Sequence, residues 1–139
     1  MAGSKYGKYI LRQTNPGPRG VAAIPVALEG VKDWAGIQHR MVWNHILQPV
    51  VMEKEPHSHD FDEFLCFLGN DPKDSFDFGA EIELSLGKEG EKHIIDHTSI
   101  VCLPKGLVHG PINFKKVTKP ILFCDISMGT ERTKKPARA

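Results

Sequence analysis

Long apolar runs are missing from this sequence of 139 residues, and their absence excludes membrane-spanning proteins. The longest purely apolar run, Phe64 to Leu68, has five residues, whereas a membrane-spanning helix needs about 20. The first residues also lack the apolar stretch that a secretory signal requires. We therefore expect no membrane partner and no export.

Cysteines are scarce as well, which argues against a small disulfide-stabilised domain. Cys66, Cys102 and Cys124 are odd in number and widely spaced, and they stand among large apolar residues. A secreted disulfide framework has more cysteines, in pairs. We interpret the three as reduced thiols and expect a cytoplasmic location.

A strong excess of charge of one sign is absent, since the net charge is +1. Four Lys or Arg fall in residues 1–20 and four in 130–139, while ten basic and sixteen acidic residues give 21–129 a net charge of −6. Short basic arms on an acidic body would not hold phosphate well. We expect no nucleic-acid partner, and we interpret 1–20 as a basic segment able to supply a pairing strand, 21–129 as a barrel and 130–139 as a basic, disordered tail.

A sustained helical period is also lacking, while 13 glycines and 10 prolines separate short β-rich segments. This pattern predicts one all-β domain, a sandwich or barrel with at most a short helix, at 29–38. The predicted strands are 7–13, 39–47, 50–54, 61–68, 80–86, 91–95, 99–103, 107–114 and 120–127.

The first segment that carries chemistry contains His57, His59 and Glu63, which have the same parity in the chain. Alternate residues of an extended chain face the same side, so two imidazoles and a carboxylate can converge on one point. A carboxylate among apolar neighbours needs a cation or hydrogen-bond donors. By itself the segment is equally compatible with surface histidines in a loop.

The second segment runs from Pro104 to Asn113 and changes that balance. Its Pro104-x-Gly106 turn redirects the chain, and His109 then begins a new strand. His109 and Asn113 share parity, so both can face the interior.

Together the two segments resemble the paired motifs of the cupin superfamily. The matching residues stand in the patterns His57-x-His59-x3-Glu63 and Pro104-x-Gly106-x2-His109-x3-Asn113. The resemblance implies a single-domain jelly-roll β-barrel with His57, His59, Glu63 and His109 as ligands of one divalent metal ion.

The chain also departs from the motifs at three places. Val51 stands where the first motif begins with glycine, Gly69 closes that motif one residue early, and Thr98-Ser99 replaces the Gly-Asp pair that opens the second. These differences concern the geometry of turns and leave the ligands intact.

Three imidazoles and one carboxylate leave two positions of an octahedral shell for water or a substrate. This mixed nitrogen and oxygen set fits Fe, Mn, Ni, Co or Zn. No dedicated acid or base stands out, although Glu63 is a candidate proton acceptor. Four further acids near the site are either partners of the imidazoles or solvated: Glu53, Glu55, Asp60 and Asp62.

The candidate pocket residues are Met41, Trp43, Phe67 and Asn113, although for Met41 and Trp43 a plain core role is the favoured interpretation and a pocket wall the alternative. The leading functional hypothesis is a metal-dependent dioxygenase, isomerase or lyase that acts on a small oxygen-bearing molecule. The alternatives are a non-catalytic module that binds or senses a small ligand, and, less favoured, a purely structural metal site. We also expect a homodimer, because residues 9–11 are apolar enough to pair and the resemblance is to a family in which many members dimerise.

Overall fold

The computed structural model describes residues 4–6, 9–10, 23–29, 39–74, 76–129 and 135–136. At 23–29 and 135–136 the description covers the backbone alone. The expected strand at 7–13 and helix at 29–38 lie largely outside these residues. Of their described members, Tyr9 and Ile10 are not in a strand, and Glu29 ends one.

The described residues form 11 strands and no α-helix, which confirms the prediction of an all-β fold. The strands are β1 (Ala23–Glu29), β2 (Arg40–Ile46), β3 (Val50–Met52), β4 (His57–Ser58), β5 (Glu63–Leu68), β6 (Ala80–Leu86), β7 (Glu91–Ile95), β8 (Ser99–Leu103), β9 (His109–Val117), β10 (Ile121–Ser127) and β11 (Lys135–Pro136). A search of the described residues finds no helix long and apolar enough to cross a membrane.

Eight of the predicted strands correspond to β2, β3 and β5 to β10. The sequence did not predict β1, which contains Pro25. A proline is tolerated there because β1 is an edge strand paired to β2 alone among the described strands. The tail prediction needs correction at two positions, since Lys135 and Pro136 pair with β4 through backbone groups.

The strands form two antiparallel sheets. One has the order β1-β2-β10-β5-β8, and the other has the order β11-β4-β9-β6-β7, with β3 also paired to β9. Buried side chains from both sheets form one apolar core. At its centre Phe67 stacks on Phe123 with ring centroids 4.9 Å apart, and Phe114 closes the group.

Strand β9 changes the face that it presents to the core. Leu84 pairs with Ile112, but Leu86 pairs with His109, so β9 holds one more residue than β6 over this stretch. Such a bulge breaks the alternation of side chains. His109 and Ile112 are therefore both buried although their parities differ.

Candidate metal centre

Three buried histidines meet where β4 lies beside the start of β9. His57 and His109 are direct partners across these strands, and His59 follows β4 by one residue. Their ligand nitrogens all lie within 4.8 Å of one another, and the three side chains are buried. The sequence motifs thus predicted residues that the fold brings together.

Backbone carbonyls set the orientation of two of the rings. His57 Nδ1 donates to the carbonyl of Glu55 at 2.8 Å, and His109 Nδ1 donates to the carbonyl of Leu107 at 3.0 Å. A carbonyl can only accept, so both Nδ1 atoms carry a proton. This arrangement leaves the Nε2 atoms of His57 and His109 as the candidate metal ligands.

Two carboxylates lie against the imidazoles. Glu63 begins β5, is 4 % exposed, and places its Oε1 atom 3.6 Å from His59 Nε2 and 3.3 Å from His109 Nε2. Glu53 directly follows β3, and its Oε2 atom lies 3.4 Å from His57 Nε2. The centre therefore combines three imidazoles with two acidic side chains.

Electrostatics shift the pKa values of Glu63 and His57 in the centre. Burial by itself raises the pKa of Glu63, but hydrogen bonds with His109 and Asp125 and the charge of His109 and His59 bring that pKa down to about 2. Burial lowers the pKa of His57, aided by the charge of His109. At neutral pH we therefore expect an ionised Glu63 and a neutral His57.

Hydrogen bonds tie the two motif segments to each other. The backbone N–H of Gly106 donates to the carbonyl of His59 at 3.0 Å, and the N–H of Lys105 donates to Asp62 Oδ1 at 2.9 Å. The Pro104-x-Gly106 turn is thus held against the loop between His59 and Glu63. Asp62, whose role the sequence left open, fixes this loop through its carboxylate.

A cavity of about 30 Å³ adjoins the imidazoles, close to the volume that one water molecule occupies in the liquid. Its lining residues are Met52, Glu53, His57, Glu63, Leu65, His109, Ile112, Phe123 and Asp125. Glu63 also borders a more open cavity of about 260 Å³ at the ends of β5 and β8. The inner cavity has room for about one ion or one water, and the outer one for a small molecule.

The expected pocket walls need correction, because none of the four lines the cavity beside the imidazoles. Trp43 pairs with Cys124 and Met41 with Ile126, so both lie on the sheet face opposite to that of Asp125. The odd-numbered residues of β2 were expected to face the cavity, but they face the other side of the sheet.

Phe67 and Asn113 also lie elsewhere. Phe67 belongs to the aromatic core. Asn113 pairs with Val51 and Glu83 and is turned away from His109's face by the bulge in β9. Because the bulge inserts an extra residue between them, His109 and Asn113 face opposite sides although their numbers have equal parity.

Sequence reasoning missed Asp125 and did not separate Glu53 from its acidic neighbours. Asp125 is 9 % exposed, lines the cavity and lies beside Glu63, whose pKa it helps to lower. It is the single charged residue of β10, and an acid within an apolar strand was a usable signal. Glu55 and Asp60, in contrast, are exposed.

The comparisons with known proteins rest on structure. No protein-family model matches the sequence, and no curated protein matches it. The polyketide cyclase RemF from Streptomyces resistomycificus is similar at 14 % identity and a TM-score of 0.56, over 91 % of this chain and 75 % of RemF. A deletion mutant of Bacillus subtilis oxalate decarboxylase OxdC is similar at 12 % identity and a TM-score of 0.58, over 89 % of this chain.

This chain spans 30 % of the oxalate decarboxylase chain. An RmlC-like cupin from Shewanella frigidimarina is closer in length, with 12 % identity and a TM-score of 0.54 over 86 % of each chain. Identities this low compare folds rather than activities. The two antiparallel sheets, the motif residues at their junction and these structural neighbours show that this chain has the cupin fold.

Proposed function

We propose that this protein is a metal-dependent enzyme that acts on a small, oxygen-bearing organic molecule. The observation that carries the proposal is the buried meeting of electron-pair donors at His57, His59 and His109. His57 Nε2 is buried, has no hydrogen-bond partner among the described residues and faces a carboxylate. Donors arranged in this way favour a cation between them.

The donor set suits a transition metal and leaves its identity open. Imidazole nitrogens with carboxylate oxygens fit Fe, Mn, Ni, Co or Zn, and affinity order alone does not choose among them. The structurally similar oxalate decarboxylase of Bacillus subtilis has Mn(II) centres, which makes Mn(II) the first ion to try. When bound, such an ion would polarise a substrate oxygen or acidify a water.

The protein's own residues would position that ion and the substrate. The carbonyls of Glu55 and Leu107 hold the rings of His57 and His109 with Nε2 inward. Because the pKa of Glu63 is low, Glu63 is a weak proton acceptor, which favours a ligand role over a catalytic base. Asp125 lines the same cavity as Glu63 and contributes to the low pKa of that carboxyl.

The proposal is tested by loading metal-free protein separately with Fe, Mn, Ni, Co and Zn. Each form is screened for turnover of small catechols, diketones, keto acids and sugars, while oxygen consumption is followed. Metal-dependent product that disappears in His59→Ala but persists in His93→Ala supports an enzyme, since His93 is exposed and pairs with Glu91 on β7.

The alternative is a module that binds or senses a small ligand without converting it. The inner cavity of about 30 Å³ favours this alternative, because it leaves little space beside the ligands for a reacting molecule. Thermal stabilisation by a ligand that depends on metal, without product from any substrate tried, would support the binding module. The homodimer and the cytoplasmic location stay predictions.

A further inference from the structure

Glu53 stands beside the imidazoles as Glu63 does, although it belongs to neither motif. Glu53 Oε2 lies 3.4 Å from His57 Nε2. Glu63 Oε1 lies 3.6 Å and 3.3 Å from the Nε2 atoms of His59 and His109. Bonds of about 2.1 Å to a shared ion put neighbouring ligand atoms about 3 Å apart in an octahedral shell. By this measure Glu53 is close enough to share an ion with His57, whereas Glu63 is close to two of the imidazoles.

The contact between Glu53 and His57 is not an ordinary hydrogen bond. The proton of neutral His57 is on Nδ1, which donates to the carbonyl of Glu55 at 2.8 Å. Nε2 therefore presents a lone pair to the carboxylate oxygen, and two acceptors repel each other without a cation between them. His57 is 4 % exposed, so water does not screen this repulsion well.

The backbone holds Glu53 at the cavity. Glu53 follows β3 with a φ of +49°, and it is the one non-glycine residue with positive φ in the described part of the chain. This left-handed conformation costs about 1 kcal/mol or more. Met52 and Glu53 both line the cavity beside His57, and the side chain of Glu53 is 19 % exposed.

We propose that Glu53 is a fifth protein ligand of the metal centre, so that three imidazoles and two carboxylates leave one exchangeable position in an octahedral shell. This inference rests on the metal site proposed above. Two carboxylates balance the charge of a divalent ion, which removes the preference for an anionic ligand that a single carboxylate would leave. A molecule that binds through two oxygens then has to displace Glu53.

The test counts the exchangeable waters on Mn(II) bound to the full chain, from the longitudinal relaxation of water protons. We expect one water in the wild type and two in Glu53→Ala. Glu89→Gln is the control, because Glu89 is exposed in the turn after β6, and one water is expected there. The dissociation constant of Mn(II) should rise about tenfold or more in Glu53→Gln. This second variant keeps the inference testable if Glu53→Ala does not fold.

Two waters in the wild type, unchanged in Glu53→Ala, would overturn the inference while leaving the metal site in place. An unchanged Mn(II) dissociation constant in Glu53→Gln would overturn it as well. A folded wild type that binds neither Mn(II) nor Co(II) is a different outcome, because it would contradict the metal site itself. The failure of this inference and the failure of the proposed function are thus distinguishable.

Discussion

The backbone of Gly110 packs against the carbonyl oxygen of Glu53, and a Cβ atom on Gly110 would lie 2.9 Å from that oxygen. Gly110 also has a φ of +101°, which L side chains rarely adopt. Gly110 directly follows His109 in β9, so this close approach packs β9 against Glu53, whose carboxylate lies 3.4 Å from His57 Nε2. Any side chain at this position must push the two apart.

We therefore expect Gly110→Ala to lower the free energy of unfolding by about 2–3 kcal/mol, from the unfavourable φ together with the clash. Gly90→Ala is the matched control, because Gly90 has a φ of +66° but no atom within 4 Å of a built Cβ. Its cost should be about 1 kcal/mol. Urea unfolding of both variants gives the comparison, and equal losses would contradict the close packing.

The second prediction is one transition-metal ion per chain, lost when an imidazole is removed. His57→Ala and His109→Ala each delete a buried ligand nitrogen from the group, so both should lose near-stoichiometric metal while circular dichroism still shows a β protein. Glu63→Gln should weaken binding less, because one oxygen ligand remains. His93→Ala, an exposed site on β7, should keep the metal, and elemental analysis after dialysis measures all four.

The residues that meet in the buried histidine group could be predicted because their chemistry restricts the choice of residue. His57, His59 and Glu63 share a short segment, and few alternatives explain a carboxylate at the start of an apolar strand. The second segment added His109 through a turn that a proline and a glycine define. The fold class followed for a related reason, since short β-rich segments between turns leave few architectures.

The pocket could not be predicted because it depends on which face of a strand is inward. In β2 apolar residues occupy both faces, Met41 and Trp43 on one and Val42 and Ile46 on the other, so the pattern does not choose. In β9 the extra residue turns Asn113 away. Glu53 was not separable from its neighbours because its position depends on a left-handed φ that the sequence does not reveal.

The third prediction concerns the pH dependence of metal binding. Burial lowers the pKa of His57 below its ordinary value of 6.5, so its imidazole stays neutral at pH 7 and protons compete with the metal only in more acidic solution. We expect metal affinity to change little above neutral pH and to fall only in solution more acidic than the ordinary histidine pKa of 6.5. Equilibrium dialysis between about pH 5 and 8 measures this, and a midpoint above pH 7 would contradict a neutral, buried His57.

The last prediction is that the metal-free protein loses stability in acid through Glu63. The pKa of this carboxyl is about 2 in the folded protein, against 4.5 as its ordinary value, so the unfolded chain binds more protons between these values. Stability from the ionised carboxylate is therefore fully present above about pH 4.5 and declines as the pH falls toward 2. The loss should be a few kcal/mol, since each unit of pKa difference corresponds to about 1.4 kcal/mol. Glu63→Gln cannot ionise, so it should be less stable than the wild type at neutral pH and should lose less on acidification. Urea unfolding across this pH range in the presence of a chelator measures both proteins, and parallel acid losses would show that other groups control the decline.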